Sequence, residues 1–88
     1  MFKKGTKVIC VFYSSFQGPY YEASEGVITK VKDGVAYFED DWGITYNSKT
    51  GEELENFFPG MRKFLVKKSE LNKHPDAKAI KQALADRE

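Results

Sequence analysis

The sequence predicts a mainly β fold: a five-stranded small barrel that carries an inserted hairpin and a C-terminal α-helix. Short runs rich in β-branched and aromatic residues alternate with turns containing glycine or proline over residues 1–71. Residues 72–88 instead place apolar side chains at helical spacing. Because 88 residues suffice for one domain only, we expect the helix to belong to the same domain as the barrel.

Composition narrows the class of protein. Hydrophobic residues make up 41% and aromatic residues 15% of the chain, which supports a packed core and argues against disorder. No apolar run reaches the roughly 18 residues that span a bilayer, and Met1–Gly5 lacks the apolar stretch of a signal peptide. We therefore expect no membrane partner. Cys10 is the only cysteine, so an internal disulfide is excluded and a cytoplasmic location (nuclear if eukaryotic) is favoured.

The first three strands are predicted from their own patterns. Thr6–Tyr13 has apolar side chains at both odd- and even-numbered positions, so we expect both faces of this strand to be buried. Tyr21–Lys32 forms a second extended segment, in which Gly26 is a candidate bulge or bend. Asp33-Gly34 then predicts a two-residue hairpin turn into a third strand, Val35–Asp40.

The two-residue turn also predicts the register of this hairpin. The expected cross-strand pairs are Val31 with Ala36, Lys30 with Tyr37, and Thr29 with Phe38. The core face of the two strands would then carry Val27, Thr29, Val31, Ala36 and Phe38. Ile28 is expected on the opposite, more solvent-exposed face, where Lys30 or Lys32 can lie across the Tyr37 ring.

The rest of the chain predicts shorter elements. Ser48–Gly51 is expected to turn a second hairpin, inside an insertion of about residues 45–61. Arg62–Lys68 alternates as a last strand and is followed by a short turn at Ser69–Leu71. A helix is expected from Pro75 to about Asp86, and its apolar stripe consists of Ala77, Ile80, Ala83 and Leu84.

Catalytic and metal-binding patterns are missing from the sequence. The only histidine, His74, lies in a polar loop, and Cys10 is expected to pack as a small hydrophobic residue. One cysteine and one histidine do not supply a zinc site, and no glycine-rich phosphate loop is present. Asp40 and Asp41 are neighbours on an extended segment, so their side chains should diverge. We therefore predict a protein that is not an enzyme, with no cofactor and no metal.

The aromatic residues suggest a binding site. Six of them lie at strand ends or in adjoining loops: Tyr13, Phe16, Tyr20, Tyr21, Phe38 and Trp42. One interpretation is that these rings fill the core of a small barrel. The other is a ligand-binding pocket at one end of the barrel, because Phe16, Tyr20 and Trp42 lie beside glycine or proline in loops.

Charge is unevenly distributed, although the net charge is only +1. Residues 39–55 carry a net charge of −5 and residues 56–88 a net charge of +4. A basic patch is predicted from Lys30, Lys32, Arg62, Lys63, Lys67 and Lys68. Such a patch would suit nucleic acid, whereas the other interpretation is a set of ordinary solvated side chains.

The pattern of strands resembles the SH3-like small barrel and, within that group, the Tudor type. The Tudor pattern of an opening glycine, a strand, an aromatic residue, a loop and paired aromatics before alanine is matched by Gly5, Ile9, Val11, Tyr13, Tyr20, Tyr21 and Ala23. A central aromatic motif is matched, with Asp41 as an extra residue, by Ala36, Phe38, Asp40, Trp42 and Gly43. The closing motif is matched by Val66, Ser69 and Leu71.

The Tudor resemblance implies an aromatic cage that holds methylated arginine or lysine through cation–π contact. Its walls would be Tyr13, Tyr21, Phe38 and Trp42. Ile44 stands where the family has an asparagine, which removes an amide from this cage and argues against methylarginine in particular.

A second resemblance is to the KOW-type module of transcription and ribosomal proteins. Gly5–Val8 and Gly26–Val31 are similar to its glycine-led strands, and this resemblance implies RNA or RNA polymerase as the partner. The sequence therefore predicts a binding module for a protein partner, with nucleic acid or polymerase association as an alternative. A further alternative, suggested by the short chain alone, is a small bacterial or phage accessory protein that inhibits a host protein.

Overall fold

A computed structural model of the chain describes residues 2–16, 18–38, 44–54 and 60–87. Its strands are β1 (Lys7–Ser14), β2 (Tyr20–Lys32), β3 (Val35–Phe38), β4 (Thr45–Asn47) and β5 (Met61–Lys67). A 3₁₀ helix (Lys68–Lys73) and the helix α1 (Ala77–Arg87) follow. The antiparallel strands are ordered β4-β3-β2-β1-β5. This nearly closed five-stranded barrel with a C-terminal helix confirms the predicted fold class.

The segment Gly51–Leu54 brings the two edges of the sheet together. On one side, the Asn47 N–H donates to the carbonyl of Glu52 at 2.8 Å. On the other, the Leu65 N–H donates to the carbonyl of Gly51 at 2.8 Å. The segment that the sequence places in an inserted hairpin therefore supplies β4 and the chain that links β4 to β5.

The turn between β2 and β3 has the predicted form. Asp33 and Gly34 both adopt positive φ, at 54° and 81°, as a two-residue hairpin turn of this kind requires. Val31 pairs with Ala36. The predicted pair of Lys30 with Tyr37 is also present, so the register next to the turn is confirmed.

Beyond Lys30, the predicted register is wrong. Phe38 pairs with Ile28 instead of Thr29, because the register shifts between Ile28 and Lys30. The extra residue is Thr29, whose hydroxyl donates to the carbonyl of Tyr37 at 3.3 Å. A one-residue bulge moves the following side chains to the opposite face.

This bulge changes which residues form the core. Ile28, predicted on the solvent-exposed face, is buried. Thr29 and Val27, predicted in the core, are exposed and half-buried. Gly26, the predicted site of a bulge, pairs with Val8 in continuous register.

The two faces of β1 contribute to two separate cores, as its apolar pattern predicts. The interior cluster fills the barrel and consists of Phe2, Val8, Cys10, Ile28, Ala36, Phe38, Tyr46 and Leu65. The helix-side cluster consists of Ile9, Val11, Ala23, Phe64, Val66, Leu71, Ile80 and Ala83. Phe2 and Tyr46 are also buried, although no local pattern predicts either as a core residue.

Helix α1 covers the outer face of the sheet. It begins at Ala77, two residues after the predicted start, and the carbonyl of Asp76 accepts the Ile80 N–H at 3.0 Å. All four residues of its predicted apolar stripe pack in or against the helix-side cluster. Neither helix of the described chain has the length and apolarity needed to cross a membrane.

Candidate functional site

Tyrosines gather at the end of the hairpin formed by β1 and β2. Tyr13 and Tyr21 are directly opposite each other in the ladder, and Ser14 is opposite Tyr20. The Tyr13 and Tyr21 rings meet edge to face, with centroids 4.9 Å apart and planes at 67°. Aromatic pairs favour this geometry because the positive ring edge meets the negative ring face.

The same hairpin end exposes aromatic side chains to solvent. Phe16 is 78% exposed and Tyr20 is 52% exposed, the two largest values among the large hydrophobic residues that are described. The Tyr20 hydroxyl donates to a carboxylate oxygen of Glu22 at 2.6 Å, which holds the ring along the strand. We call Tyr13, Phe16, Tyr20 and Tyr21 the aromatic hairpin end.

A cross-strand row connects this hairpin end to β5. Tyr13 is opposite Tyr21 on one side and opposite Arg62 on the other. Arg62 forms an ion pair with Glu52 at 2.6 Å, and its guanidinium lies 5.3 Å from the centroid of the Phe64 ring. The row therefore places an arginine with fixed geometry next to the tyrosine pair.

Two of these tyrosines have raised pKa values. The Tyr20 hydroxyl donates a hydrogen bond to the Glu22 carboxylate, and this favours the neutral phenol. The pKa of Tyr20 is therefore raised. Burial raises the pKa of Tyr21, the negative charge of Asp76 raises it further, and Arg62 opposes both effects. Both hydroxyls therefore remain neutral hydrogen-bonding groups at and well above neutral pH.

Replacing Glu22 with glutamine is expected to lower the pKa of Tyr20 towards its ordinary value, because the charged acceptor is lost. In the wild type, the hydrogen bond to Glu22 stabilises the folded protein as long as Tyr20 is neutral. This stabilisation is present below about pH 10, the ordinary pKa of tyrosine, and is lost as the pH rises through the higher pKa that Tyr20 has in the folded state. Ultraviolet absorbance of tyrosinate measures the shift, with Tyr20→Phe identifying the transition. Glu25→Gln is the matched control, since Glu25 pairs with Lys68 instead. Identical titration curves for Glu22→Gln and wild type would contradict this assignment.

The remaining predicted aromatic residues lie elsewhere or outside the described residues. Phe38 is buried in the interior cluster, whereas Tyr21 packs against the helix-side cluster. An aromatic cage with Phe38 and Tyr21 as walls would therefore have to combine residues from two separate hydrophobic clusters. Trp42 lies outside the described residues, as do the neighbouring Asp40 and Asp41.

The predicted basic residues occur in two groups. Lys30 and Lys32 are on β2 near its turn, and the ammonium of Lys30 lies 5.4 Å from the centroid of the Tyr37 ring, as predicted. The others, on β5 or directly after it, are Arg62, Lys63, Lys67 and Lys68. Strand β1 separates β2 from β5 in the sheet order.

Several of these cations contact other groups of the protein. Lys68 pairs with Glu25 at 3.3 Å, as Arg62 does with Glu52. The Lys67 ammonium lies 5.6 Å from the centroid of the Phe2 ring. The two carboxylates offset part of the positive charge of the patch.

A groove of about 660 Å³ runs along β5 towards the start of α1. In it, the His74 ring stacks on Phe64, with centroids 5.6 Å apart and planes at 13°. His74 Nδ1 accepts the Asp76 N–H at 3.0 Å, so this histidine holds the turn that leads into the helix. The lining mixes both charges, with Lys49, Lys67 and Lys73 beside Glu70 and Asp76.

A smaller groove of about 220 Å³ lies between β2 and α1. Its lining consists of Tyr20, Tyr21, Glu22 and Ala23 from β2, and Ala83 and Asp86 from α1. Of these lining residues, only Tyr20 and Tyr21 were predicted to bind a ligand. Spacing along the helix placed Ala83 on the apolar stripe, but nothing in the sequence indicates which strand that stripe covers.

These features define a small β-barrel protein, consistent with the SH3-like class. No protein-family model, curated protein or solved structure matches the chain, so no family, Tudor or KOW, is assigned. Over the described ranges, no group of three or more histidine, cysteine, aspartate or glutamate side chains is placed to hold a metal ion.

Proposed function

We propose that this chain is a non-catalytic binding module that recognises a protein partner through the aromatic hairpin end. The observation that carries the proposal is the exposure of Phe16 and Tyr20, at 78% and 52%, beside the packed pair of Tyr13 and Tyr21. Transferring such rings from water into an interface releases about 25 cal/mol for each Å² of apolar surface buried.

The composition of this surface supports a protein as the partner. Aromatic residues and arginine are enriched in the centres of protein interfaces, where tyrosine combines a large contact area with few rotatable bonds. Here Arg62 lies opposite Tyr13 of the tyrosine pair, and the Tyr20 hydroxyl is hydrogen-bonded to Glu22. Fixed side chains lose less conformational entropy when a partner binds.

The nucleic-acid alternative depends on the six predicted basic residues. Positive charge drives that kind of binding because phosphate contacts release counterions. Within the described residues, Arg62 and Lys68 pair with carboxylates, and Lys30 and Lys32 lie on a different strand from the other basic residues. These observations favour the protein partner. Inhibition of a host protein would be one consequence of such binding.

The double substitution Phe16→Ala and Tyr20→Ala is expected to abolish capture of the partner. Loss of two exposed anchors at an interface centre should weaken binding at least about tenfold. The measurement is affinity capture from a lysate with the tagged full chain, quantified by mass spectrometry. Leu54→Ala is the matched control, because Leu54 is also an exposed hydrophobic residue, at 45%, but lies outside the aromatic hairpin end.

Thermal melts of both variants should match the wild type, because the altered side chains are exposed. Equal recovery of every partner by the wild type and the double variant would contradict the proposal. Partners that disappear after nuclease treatment, and are retained by the double variant, would favour nucleic acid instead.

A further inference from the structure

Charged residues at a spacing of three line the larger groove where β5 ends. The 3₁₀ helix Lys68–Lys73 begins directly after Lys67. Lys67, Glu70 and Lys73 all line the groove. A 3₁₀ helix has three residues per turn, so side chains three positions apart lie above one another. These residues therefore form a line of lysine, glutamate and lysine, which we call the charged row.

The lysines of this groove are not neutralised by neighbouring carboxylates. Lys49 lines the same groove as the charged row. In the part of the chain that the structure describes, no carboxylate forms an ion pair with Lys49, Lys67 or Lys73. The Lys67 ammonium instead lies over the Phe2 ring, a contact that restricts its position before any partner binds. The groove therefore offers positive charge to an anionic group.

The dimensions of the charged row fit an extended peptide. With a rise of about 2 Å per residue, Lys67 and Lys73 are separated by about 12 Å along the axis of the 3₁₀ helix. In an extended chain, alternate side chains face the same way, and positions four apart are separated by about 13 Å. Two acidic side chains four positions apart can therefore face the two lysines. The residue midway between them then faces Glu70.

Glu70 distinguishes a peptide from a nucleic acid at this place. Each strand of a duplex carries one negative charge for about every 3.4 Å of its length, so a phosphate would also lie against Glu70. A peptide can carry its charges opposite the lysines alone and place an uncharged residue opposite the carboxylate. Charge complementarity along the row therefore favours a protein segment.

The groove connects the charged row to the aromatic hairpin end. Along β5, Phe64 with the stacked His74 ring lies between Lys67 and Arg62, and all four residues line the groove. Arg62 is directly opposite Tyr13 in the β1–β5 ladder. At about 3.3 Å per residue, the distance from Lys67 to Arg62 is about 17 Å, which five extended residues span. One segment of a partner can therefore contact both places.

We propose that the larger groove binds an extended acidic segment of the partner protein. Two acidic side chains of this segment, four positions apart, pair with Lys67 and Lys73, and the residue midway between them carries no negative charge because it faces Glu70. Lys49 adds positive charge to the same groove. The inference rests on the proposed protein-binding function and names the composition and charge spacing of the bound segment.

The binding test uses fluorescent heptapeptides with the full chain. The first peptide carries glutamate at its second and sixth positions, glutamine at its fourth and threonine elsewhere, since threonine favours an extended chain. An isomer of the same composition places the two glutamates next to each other. The first peptide should bind at least about fivefold more tightly, because adjacent side chains of an extended chain face opposite ways. Equal affinities of the two isomers, or no saturable binding up to about 1 mM, would overturn the proposal.

Substitutions in the charged row should have opposite effects on binding of the first peptide. Lys67→Gln combined with Lys73→Gln should weaken it at least about fivefold, whereas Glu70→Gln should strengthen it. The matched control, Lys78→Gln with Lys81→Gln, removes the same charge from exposed positions of α1 that do not line the groove. Equal weakening by the two double variants would show that only net charge matters and would overturn the proposal.

A double-mutant cycle tests which residue of the segment faces Glu70. Replacing the central glutamine of the first peptide with glutamate should favour binding to the Glu70→Gln variant over binding to the wild type by at least about threefold. The same change in affinity for both proteins would contradict the proposed alignment. Thermal melts of the row variants should match the wild type, because these side chains are exposed or half-buried.

The proposed function is tested separately from this inference. If the peptides fail these tests and capture of the partner still depends on Phe16 and Tyr20, the proposed function stands and the acidic-segment inference alone fails.

Discussion

Replacing Gly51 with alanine is expected to destabilise the barrel by about 3 kcal/mol or more, because two costs combine. Gly51 has φ +80°, a conformation that is unfavourable for residues with a Cβ atom. An alanine Cβ would also lie 2.5 Å from the carbonyl oxygen of Leu65 and 2.9 Å from the Phe2 ring. Relief of this overlap requires the segment that joins β4 to β5 to move away from the barrel.

Gly34→Ala separates these two costs. Gly34 has nearly the same φ, +81°, but an added Cβ would meet nothing within 4 Å. This control should therefore lose only the roughly 1–2 kcal/mol of backbone strain. Urea denaturation of both variants measures the difference, and equal losses would show that Gly51 does not close the barrel as described.

Replacing Tyr46 with alanine is expected to cost about 3–5 kcal/mol, as for other large aromatic residues removed from a core. Tyr46 is 0% exposed and lies within the interior cluster. Since domains of this kind have about 5–15 kcal/mol of total stability, the variant should be close to unfolding. Denaturant unfolding, monitored by circular dichroism, measures the loss.

Tyr46→Phe keeps the ring and removes the hydroxyl, which lies 3.4 Å from the sulfur of Cys10. Loss of the buried hydrogen bond to Cys10 should cost about 1 kcal/mol, much less than loss of the ring. A Tyr46→Ala variant no less stable than Tyr46→Phe would contradict the assignment of this ring to the barrel interior.

Local patterns predicted much of the fold. Apolar side chains at both parities of β1 indicated that both faces are covered, and they contribute to the two clusters. Asp33-Gly34 predicted the turn because few other residues tolerate two positive φ angles in succession. Each of these signals lies within the segment whose structure it determines.

The bulge at Thr29 could not be predicted in the same way. Val27 and Ile28 are both apolar, so either parity of this stretch gives a plausible core face. The turn determines which residues pair only as long as the ladder is regular. One extra residue in one strand shifts the register of every pair beyond it. The choice of Ile28 for the core reflects packing within the barrel, which involves residues distant in sequence.

The candidate site was predicted in part. Aromatic residues near turns indicated the hairpin end, where Tyr13, Phe16, Tyr20 and Tyr21 do lie close in the ladder or its loop. The groove between β2 and α1 depends on where α1 packs against the sheet. The packing of α1 is a tertiary feature, so no local pattern indicates Ala23 or Asp86 as lining residues.

Amide chemical-shift mapping of the isotope-labelled chain with its captured partner tests the central claim most directly. The aromatic hairpin end should show the largest amide chemical-shift changes. The amides of Lys30 and Lys32, near the opposite end of β2, should change little. Changes centred on Lys30, Lys32 and the basic residues of β5, with residues 13–25 unaffected, would contradict recognition through the aromatic hairpin end.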